Sequence, residues 1–157
     1  ELNARASPVE HGTPVADGVT LVVAAADADD RIAWSHLLHA SSGAALVAEW
    51  DGKLVAALGP KLLVLDGDGG VSSAYDARDD ELVNAHVGDG DLVLVGRNAI
   101  HVLRPGGVLR WRTEVRSGGL AWLGVSDGRL KFAAFPETGD DWQERHFDRD
   151  SGTPLPA

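Results

Sequence analysis

The chain has 157 residues, with 14 Lys and Arg against 24 Asp and Glu, and a net charge of −10. Such an acidic chain is not expected to bind nucleic acid or an anionic membrane surface, because both need clustered Lys and Arg. The absence of Cys excludes disulfides and thiolate metal sites, and no apolar run approaches the roughly 18 residues of a membrane-spanning helix. We expect one domain without a membrane span.

The first part of the chain shows an incomplete pattern. Residues 1–16 contain two Pro and alternate weakly, which predicts an N-terminal arm or one irregular strand. Val19–Ala25 and Arg31–His39 flank an acidic turn and resemble the last two strands of a repeat. We therefore predict a partial repeat over residues 17–40.

The remaining chain reads as short alternating runs of apolar residues divided by turn residues, a pattern typical of β-strands and hairpins. It forms repeats over about residues 44–77, 81–115 and 120–157, and the last predicted strand is only a stub. The predicted strands are Ala44–Trp50, Lys53–Leu58, Lys61–Leu65 and Val71–Ala77; Glu81–Val87, Asp91–Val95, Ala99–Leu103 and Val108–Val115; Leu120–Val125, Arg129–Phe135, Trp142–Asp148 and Thr153–Leu155.

An Asp-Gly pair recurs in these repeats at a spacing of 38 residues, ending at Gly52, Gly90 and Gly128. A period between about 20 and 50 residues marks solenoids, propellers or arrays. Each pair lies between the first two predicted strands, where a tight hairpin turn needs the positive φ that Asp and Gly tolerate. We predict that the three glycines are structural turn residues.

A family resemblance is carried by the segment Val102-Leu103-Arg104-Pro105-Gly106-Gly107-Val108-Leu109-Arg110-Trp111. It is similar to the end of the pyrroloquinoline-quinone-like propeller repeat, in which a turn ending in Gly precedes a strand with a docking Trp. Ala25–Trp34 resembles it with Arg31 in place of the Gly, and Val64–Ala74 resembles it with Ala74 or Tyr75 in place of the Trp.

The resemblance implies an all-β fold of antiparallel four-stranded blades, a β-propeller of about three and a half to four repeats. Trp34 and Trp111 would then pack between neighbouring blades. Because propellers close with roughly four to eight blades, either the N-terminal strands complete a small ring or a second chain does. We favour self-association, or a longer propeller of which this is a fragment.

The same family includes quinoprotein dehydrogenases, which hold quinone and calcium on the axis, and cofactor-free scaffolds. The enzymes carry a Cys-Cys disulfide and more blades, so the resemblance favours a scaffold that binds another protein and is not an enzyme. Two alternatives remain open: a carbohydrate- or calcium-binding propeller, and a fragment of a larger quinoprotein-like enzyme. The chain starts at Glu1, and loss of a signal peptide is one cause of such a start, so we expect a periplasmic or secreted protein in preference to a cytoplasmic one.

Candidate catalytic or metal-binding residues are few. The acidic segments at residues 27–30, 66–70 and 148–152 resemble calcium loops, but they lack the distal Glu of a tight site. Turn formation explains them, and we expect no cofactor, with calcium as the alternative. The six His residues show no ligand spacing, and His36 and His39 fall on opposite faces of a strand. We predict no catalytic residues and no metal site.

The predicted binding surface consists of the loops that connect the repeats. Loops near residues 40–43, 77–80 and 116–119, with the turns at 59–60 and 97–98, should share one face because strand direction alternates. A protein partner is expected to contact charged and polar residues on this face and the Trp of the longest loop. These residues are Asp79, Asp80, Arg97, Asn98, Arg116 and Trp142.

Overall fold

The structure is a computed structural model that describes residues 7–157. These residues form fifteen strands and no helix, so the described part of the chain has no helix that could cross a membrane. Contacts between residues divide the chain into two compact units, which we call the N-terminal unit, ending at Leu82, and the C-terminal unit, beginning at Val83. The first part of the predicted arm, residues 1–6, lies outside the described residues.

The N-terminal unit contains two sheets. The first has three strands in the order β1-β3-β2, and it differs from the predicted pair because β1 adds to the edge of β3 in parallel. The second has four antiparallel strands in chain order. The strands are β1 (Val9–His11), β2 (Val19–Ala26) and β3 (Ile32–Ala40), then β4 (Ala45–Trp50), β5 (Lys53–Leu58), β6 (Lys61–Leu65) and β7 (Val71–Asp76).

The C-terminal unit contains two further sheets of four strands, each in chain order. Their strand pairs are antiparallel. The all-β fold built from four-stranded blades is therefore confirmed, with the first sheet as the exception. The strands are β8 (Leu82–Gly88), β9 (Asp91–Gly96), β10 (Ala99–Arg104) and β11 (Val108–Glu114), then β12 (Gly119–Ser126), β13 (Arg129–Phe135), β14 (Gln143–Asp148) and β15 (Pro154–Leu155).

The turns that contain Asp-Gly have the same backbone conformation in all three repeats. Positive φ occurs at both positions, with values of 52° and 70° at Asp51-Gly52, 52° and 86° at Asp89-Gly90, and 53° and 69° at Asp127-Gly128. Two consecutive residues with positive φ define the type I′ hairpin turn, whose twist matches that of the flanking strands. A side chain added at any of the three glycines would meet no atom within 4 Å, so their importance is conformational.

Each unit has its own apolar core between its two sheets. In the C-terminal unit, Phe132 and Phe147 pack edge to face at 5.9 Å between ring centres, against valines and Ile100 of the preceding sheet. In the N-terminal unit, Leu38 and Leu65 belong to the corresponding cluster. In the sheets of β4–β7 and β8–β11, most residues of the second and third strands are buried.

Two tryptophans pack on a glycine of the following sheet. The Trp111 indole lies over Gly152, its Nε1 donates to the Arg149 carbonyl at 2.7 Å, and the Thr113 hydroxyl donates to the Gly152 carbonyl at 2.8 Å. A β-carbon at Gly152 would overlap the indole ring. The Trp therefore depends on a Gly about one repeat later in the chain.

The N-terminal unit repeats this arrangement. Trp34 lies over Gly69, where a β-carbon would again overlap the ring. Two residues after the Trp, at the place that corresponds to Thr113, His36 Nε2 contacts the Gly69 carbonyl at 2.7 Å. Because a carbonyl only accepts, Nε2 is the protonated nitrogen and donates this bond.

A β-bulge occurs at the same place in three sheets, and it corrects one sequence alignment. The register shifts after Ala25, Val64 and Val102, whose partners across the bulge are Trp34, Ser73 and Trp111. Ser73 therefore occupies the Trp position of the second repeat, whereas the sequence indicated Ala74 or Tyr75. In all three sheets the partner lies nine residues after the residue that precedes the bulge, so a count from Val64 leads to Ser73.

Candidate functional site

One end of the C-terminal unit brings three connecting segments side by side. The Val115 N–H donates to the Asn98 carbonyl at 2.9 Å, and the Gly118 N–H donates to the Phe135 carbonyl at 2.7 Å. Ala134 pairs with Gln143, so the loop of residues 136–142 leaves the sheet at the same end. We call these three segments, residues 96–98, 115–119 and 135–142, the loop end.

The loop end exposes two aromatic side chains. Trp142 is 54% exposed and Phe135 is 44% exposed. Arg97, Asn98 and Arg116, which were predicted from the sequence, are also exposed in these segments. The structure therefore brings four of the six predicted binding residues to one end of one unit.

Phe135 was missed by the sequence analysis, although a signal for it was present. Phe132 and Phe135 are three residues apart on β13, and an odd spacing on a strand places side chains on opposite faces. Phe132 is completely buried. Its spacing therefore already indicated that Phe135 lies on the face away from the neighbouring sheet.

A cleft of about 290 Å³ lies beside the loop end, between the end of β11 and the last two strands. This volume is near the lower limit of the roughly 300–1,000 Å³ typical of ligand pockets. Its lining combines apolar groups with charged side chains: Glu114, Val115, Arg116, Glu144, Arg145, His146, Phe147, Pro154 and Leu155.

The acidic side chains of the cleft have partners. Glu114 accepts a hydrogen bond from Arg112 at 3.3 Å, and Glu144 lies 2.6 Å from His146 Nε2. Among residues 7–157, Arg116 and Arg145 form no ion pair. The cleft therefore presents two available guanidinium groups in a protein whose net charge is −10.

The two acidic residues predicted for the binding surface lie in the N-terminal unit, and they differ in burial. Asp79 is exposed, whereas Asp80 has 0% of its surface accessible. The Ala77 N–H donates to the Pro60 carbonyl and the Leu82 N–H donates to the Gly59 carbonyl. These bonds fold the loop against the β5–β6 turn and enclose Asp80, so the prediction that Asp80 forms part of a binding surface is wrong.

The carboxylates of the three acidic loops accept hydrogen bonds within their own turns. Asp27 Oδ1 accepts from the N–H groups of Asp29 and Arg31, and Asp68 Oδ1 accepts from the Gly70 N–H. Asp148 Oδ1 accepts from the backbone and hydroxyl of Ser151 at 2.8 and 2.9 Å. In the part of the chain that the structure describes, no group of three His, Asp or Glu residues is arranged to hold a metal ion.

Two titratable groups of the C-terminal unit are shifted from their ordinary values. Hydrogen bonds from Ser151 hold the pKa of Asp148 below its usual range. Burial lowers the pKa of His86, whose ring stacks on Trp122 at 5.5 Å between ring centres. Both groups therefore favour one protonation state in the folded chain: Asp148 the carboxylate, and His86 the neutral imidazole.

The turn behind the cleft is held by an ion network that the sequence did not reveal. The buried carboxylate of Asp91 lies 3.0 Å from Arg110 Nε and 3.7 Å from Arg149 Nε. Arg149 also bonds the Asp89 carboxylate at 2.8 Å and the Asp89 carbonyl at 3.0 Å. This network joins the β8–β9 region to the 148–152 turn, which leads into the β15 wall of the cleft.

No protein-family profile matches the chain, and no curated protein matches it. Its fold is similar to solved structures. One is the crystal structure of BamB from Moraxella catarrhalis, at 16% identity and a TM-score of 0.60, with 93% of this chain and 47% of that chain covered. Another is the crystal structure of BBS1N in complex with ARL6DN, soaked with mercury, at 16% identity and a TM-score of 0.53, with 100% of this chain and 55% of that chain covered.

These likenesses concern the fold. They support a β-propeller fold, in agreement with the blade-type sheets described above. The chain spans about half the length of the two solved structures that it matches.

Proposed function

We propose that the protein is a non-catalytic, propeller-type scaffold that binds another protein through the loop end of its C-terminal unit. The observation that carries the proposal is the grouping of exposed Phe135 and Trp142 with Arg97 and Arg116 in adjoining segments. Large aromatic residues and Arg are enriched among the residues that dominate binding energy at protein interfaces. One of the solved structures of similar fold is itself a complex with a protein, ARL6DN.

The side chains of the loop end suit a protein surface better than a small substrate. Phe135 and Trp142 lie directly beyond the Ala134–Gln143 pair that ends the β13–β14 ladder, so both aromatic residues are at the same end of this hairpin. Exposed aromatics with Arg nearby provide apolar area and charge-assisted hydrogen bonds together. Among the described residues, no group of three His, Asp or Glu that could hold a metal ion adjoins them.

Site-specific photo-crosslinking in a lysate of the source organism tests this proposal. A photoreactive amino acid at position 142 is expected to give a discrete cross-linked protein of reproducible identity. The matched control is position 108, because Val108 is also 54% exposed but lies at the opposite end of β11. The same yield and the same products from both positions would show that the loop end is not a specific binding surface.

We further propose that the chain is a cofactor-free relative of the pyrroloquinoline-quinone-like repeats. The repeated bulge and the packing of Trp34 on Gly69 and Trp111 on Gly152 support this, since they match the docking that the resemblance implies. The acidic loops use their carboxylates for turn bonds. Millimolar calcium is therefore expected to leave the melting temperature unchanged, and a melting temperature that rises with calcium and then saturates would contradict the cofactor-free proposal.

The resemblance also favours a periplasmic or secreted location, which cell fractionation would check.

A further inference from the structure

We infer that the cleft beside the loop end binds an extended, acidic segment of the partner protein, which pairs as an additional strand with β14. The inference rests on the proposed function and specifies the chemistry of the partner. Two independent features support it: an unpaired length of strand edge, and two guanidinium groups without ion pairs.

The strand edge is left open because β15 is very short. β14 pairs along its whole length with β13 on one side, but on the other side only His146 and Phe147 pair, with Leu155 and Pro154. Among residues 7–157, no strand pairs with the outer edge of β14 at residues 143–145. An exposed edge with free N–H and C=O groups can accept an added strand.

Pro156, the residue after the last pair, explains why the β15 ladder stops. Pro154 and Pro156 lack a backbone N–H and cannot donate to β14. Pro156 instead directs its carbonyl to Arg129, which donates a hydrogen bond to it at 2.8 Å. Among residues 7–157, the outer edge of β14 next to Arg145 is therefore left open to a separate segment.

Charge identifies the kind of segment. Arg116 and Arg145 both line the cleft and form no ion pair among the described residues, whereas Glu114 pairs with Arg112 and Glu144 contacts His146. Arg145 pairs with Phe132 across β13, so it lies on the sheet face that is turned towards the end of β11. Carboxylates are the natural partners of two such guanidinium groups.

Strand alternation favours a peptide in which acidic and apolar residues alternate. Arg145 and Phe147 lie two residues apart on the same face of β14, and both line the cleft. A strand paired with β14 turns alternate side chains to opposite faces, so its acidic residues enter the cleft towards Arg116 and Arg145 while its apolar residues lie on the opposite face of the sheet. Recognition by main-chain bonds, with specificity from alternate side chains, is the usual mode of strand addition.

The test is an NMR titration of the isotope-labelled full chain with a short peptide that alternates valine and aspartate. Shifts are expected at the amides of residues 143–145 and at Arg116, and a matched valine and lysine peptide should give none. The variant Arg116→Gln/Arg145→Gln should weaken binding by about tenfold or more, from the loss of two charge-assisted bonds. The control variant Arg31→Gln/Arg104→Gln removes two exposed cations outside the cleft and should bind as the wild type does.

A peptide with N-methyl groups on the amides that would face β14 separates strand addition from simple charge attraction, and it should not bind. The inference would be overturned if the N-methylated peptide or the lysine peptide bound as well as the aspartate peptide, or if the cleft variant bound the aspartate peptide as well as the wild type does. The absence of any chemical-shift change would also overturn it. If crosslinking from position 142 still captures a specific protein in those cases, the proposed function stands and only this inference falls. Unchanged unfolding midpoints for both double variants would show that the comparison is between folded proteins.

Discussion

Replacing Gly152 by Ala should destabilise the C-terminal unit far more than the same replacement of Gly128. The two glycines have nearly equal φ values, 72° and 69°, so the cost of placing Ala in the left-handed region, about 1–2 kcal/mol, is common to both. They differ in surroundings, because a β-carbon at Gly152 overlaps the Trp111 ring whereas one at Gly128 meets nothing within 4 Å.

The size of the difference follows from the contacts at Gly152. Overpacking costs about 1–3 kcal/mol, and displacement of the indole also endangers the bond from Trp111 Nε1 to the Arg149 carbonyl, which contributes about 1 kcal/mol. Gly152→Ala is thus expected to lose about 2–4 kcal/mol more than Gly128→Ala.

Urea unfolding followed by circular dichroism and tryptophan fluorescence measures this difference. A second pair in the N-terminal unit, Gly69→Ala against Gly52→Ala, should show the same order with a smaller gap, because Trp34 is only half-buried and can move outwards. Equal losses within each pair would refute the reasoning, since backbone strain alone would then account for both glycines.

Four further predictions concern charge, pH and assembly. Asp91→Ala should lower the free energy of unfolding in urea by about 3–5 kcal/mol, because it removes the buried carboxylate that lies between two arginines. Asp89→Ala removes an exposed carboxylate and should cost under about 1 kcal/mol. Similar losses for the two variants would contradict the ion network. Because folding lowers the pKa of His86, its contribution to stability is complete above its ordinary pKa of 6.5 and is lost as the pH falls below that value. His86→Phe should therefore make the melting temperature less dependent on pH near pH 6, and an unaltered dependence of the melting temperature on pH would contradict this assignment. The pKa of Asp148 is also lowered by folding, so its contribution to stability should disappear only as the pH falls below 3.8. Asp148→Asn should not show this loss of stability in acid, and the same fall of melting temperature in the variant and the wild type would contradict the assignment. Light scattering should give a mass of twice the 16.5 kDa chain if a second copy completes the blades, and a single-chain mass at all concentrations would contradict self-association.

The strands and hairpin turns could be predicted from the sequence because both are local properties. The short apolar run of β9 and the alternation at the start of β13 both indicate strands, and Asp89-Gly90 or Asp127-Gly128 is a pair that tolerates the positive φ of a type I′ turn. An irregular strand within residues 1–16 was one of the two predictions, but its parallel pairing with β3 could not be predicted, since it depends on where the chain returns after residues 12–18.

The site was only partly accessible to the same reasoning. Strand direction placed Arg97 and Arg116 at one end, since a strand that ends at one edge must be followed by a loop there. Trp142 was predicted separately, from its position in the longest loop. Burial of Asp80 depends on hydrogen bonds to a turn some twenty residues earlier, and the Arg145 side of the cleft depends on how far β15 extends. These are long-range consequences of packing that composition and periodicity do not contain.

The central claim, that the loop end binds a protein, is tested most directly by calorimetric titration of the protein captured by crosslinking. Phe135→Ala/Trp142→Ala is expected to weaken binding by about 2 kcal/mol or more, roughly thirtyfold, because both exposed aromatics are removed. Val108→Ala/Leu109→Ala removes two exposed apolar side chains from the opposite end of β11 and should bind with the affinity of the wild type. Equal affinities for the wild type and both variants would contradict the claim and place the binding surface elsewhere on the chain.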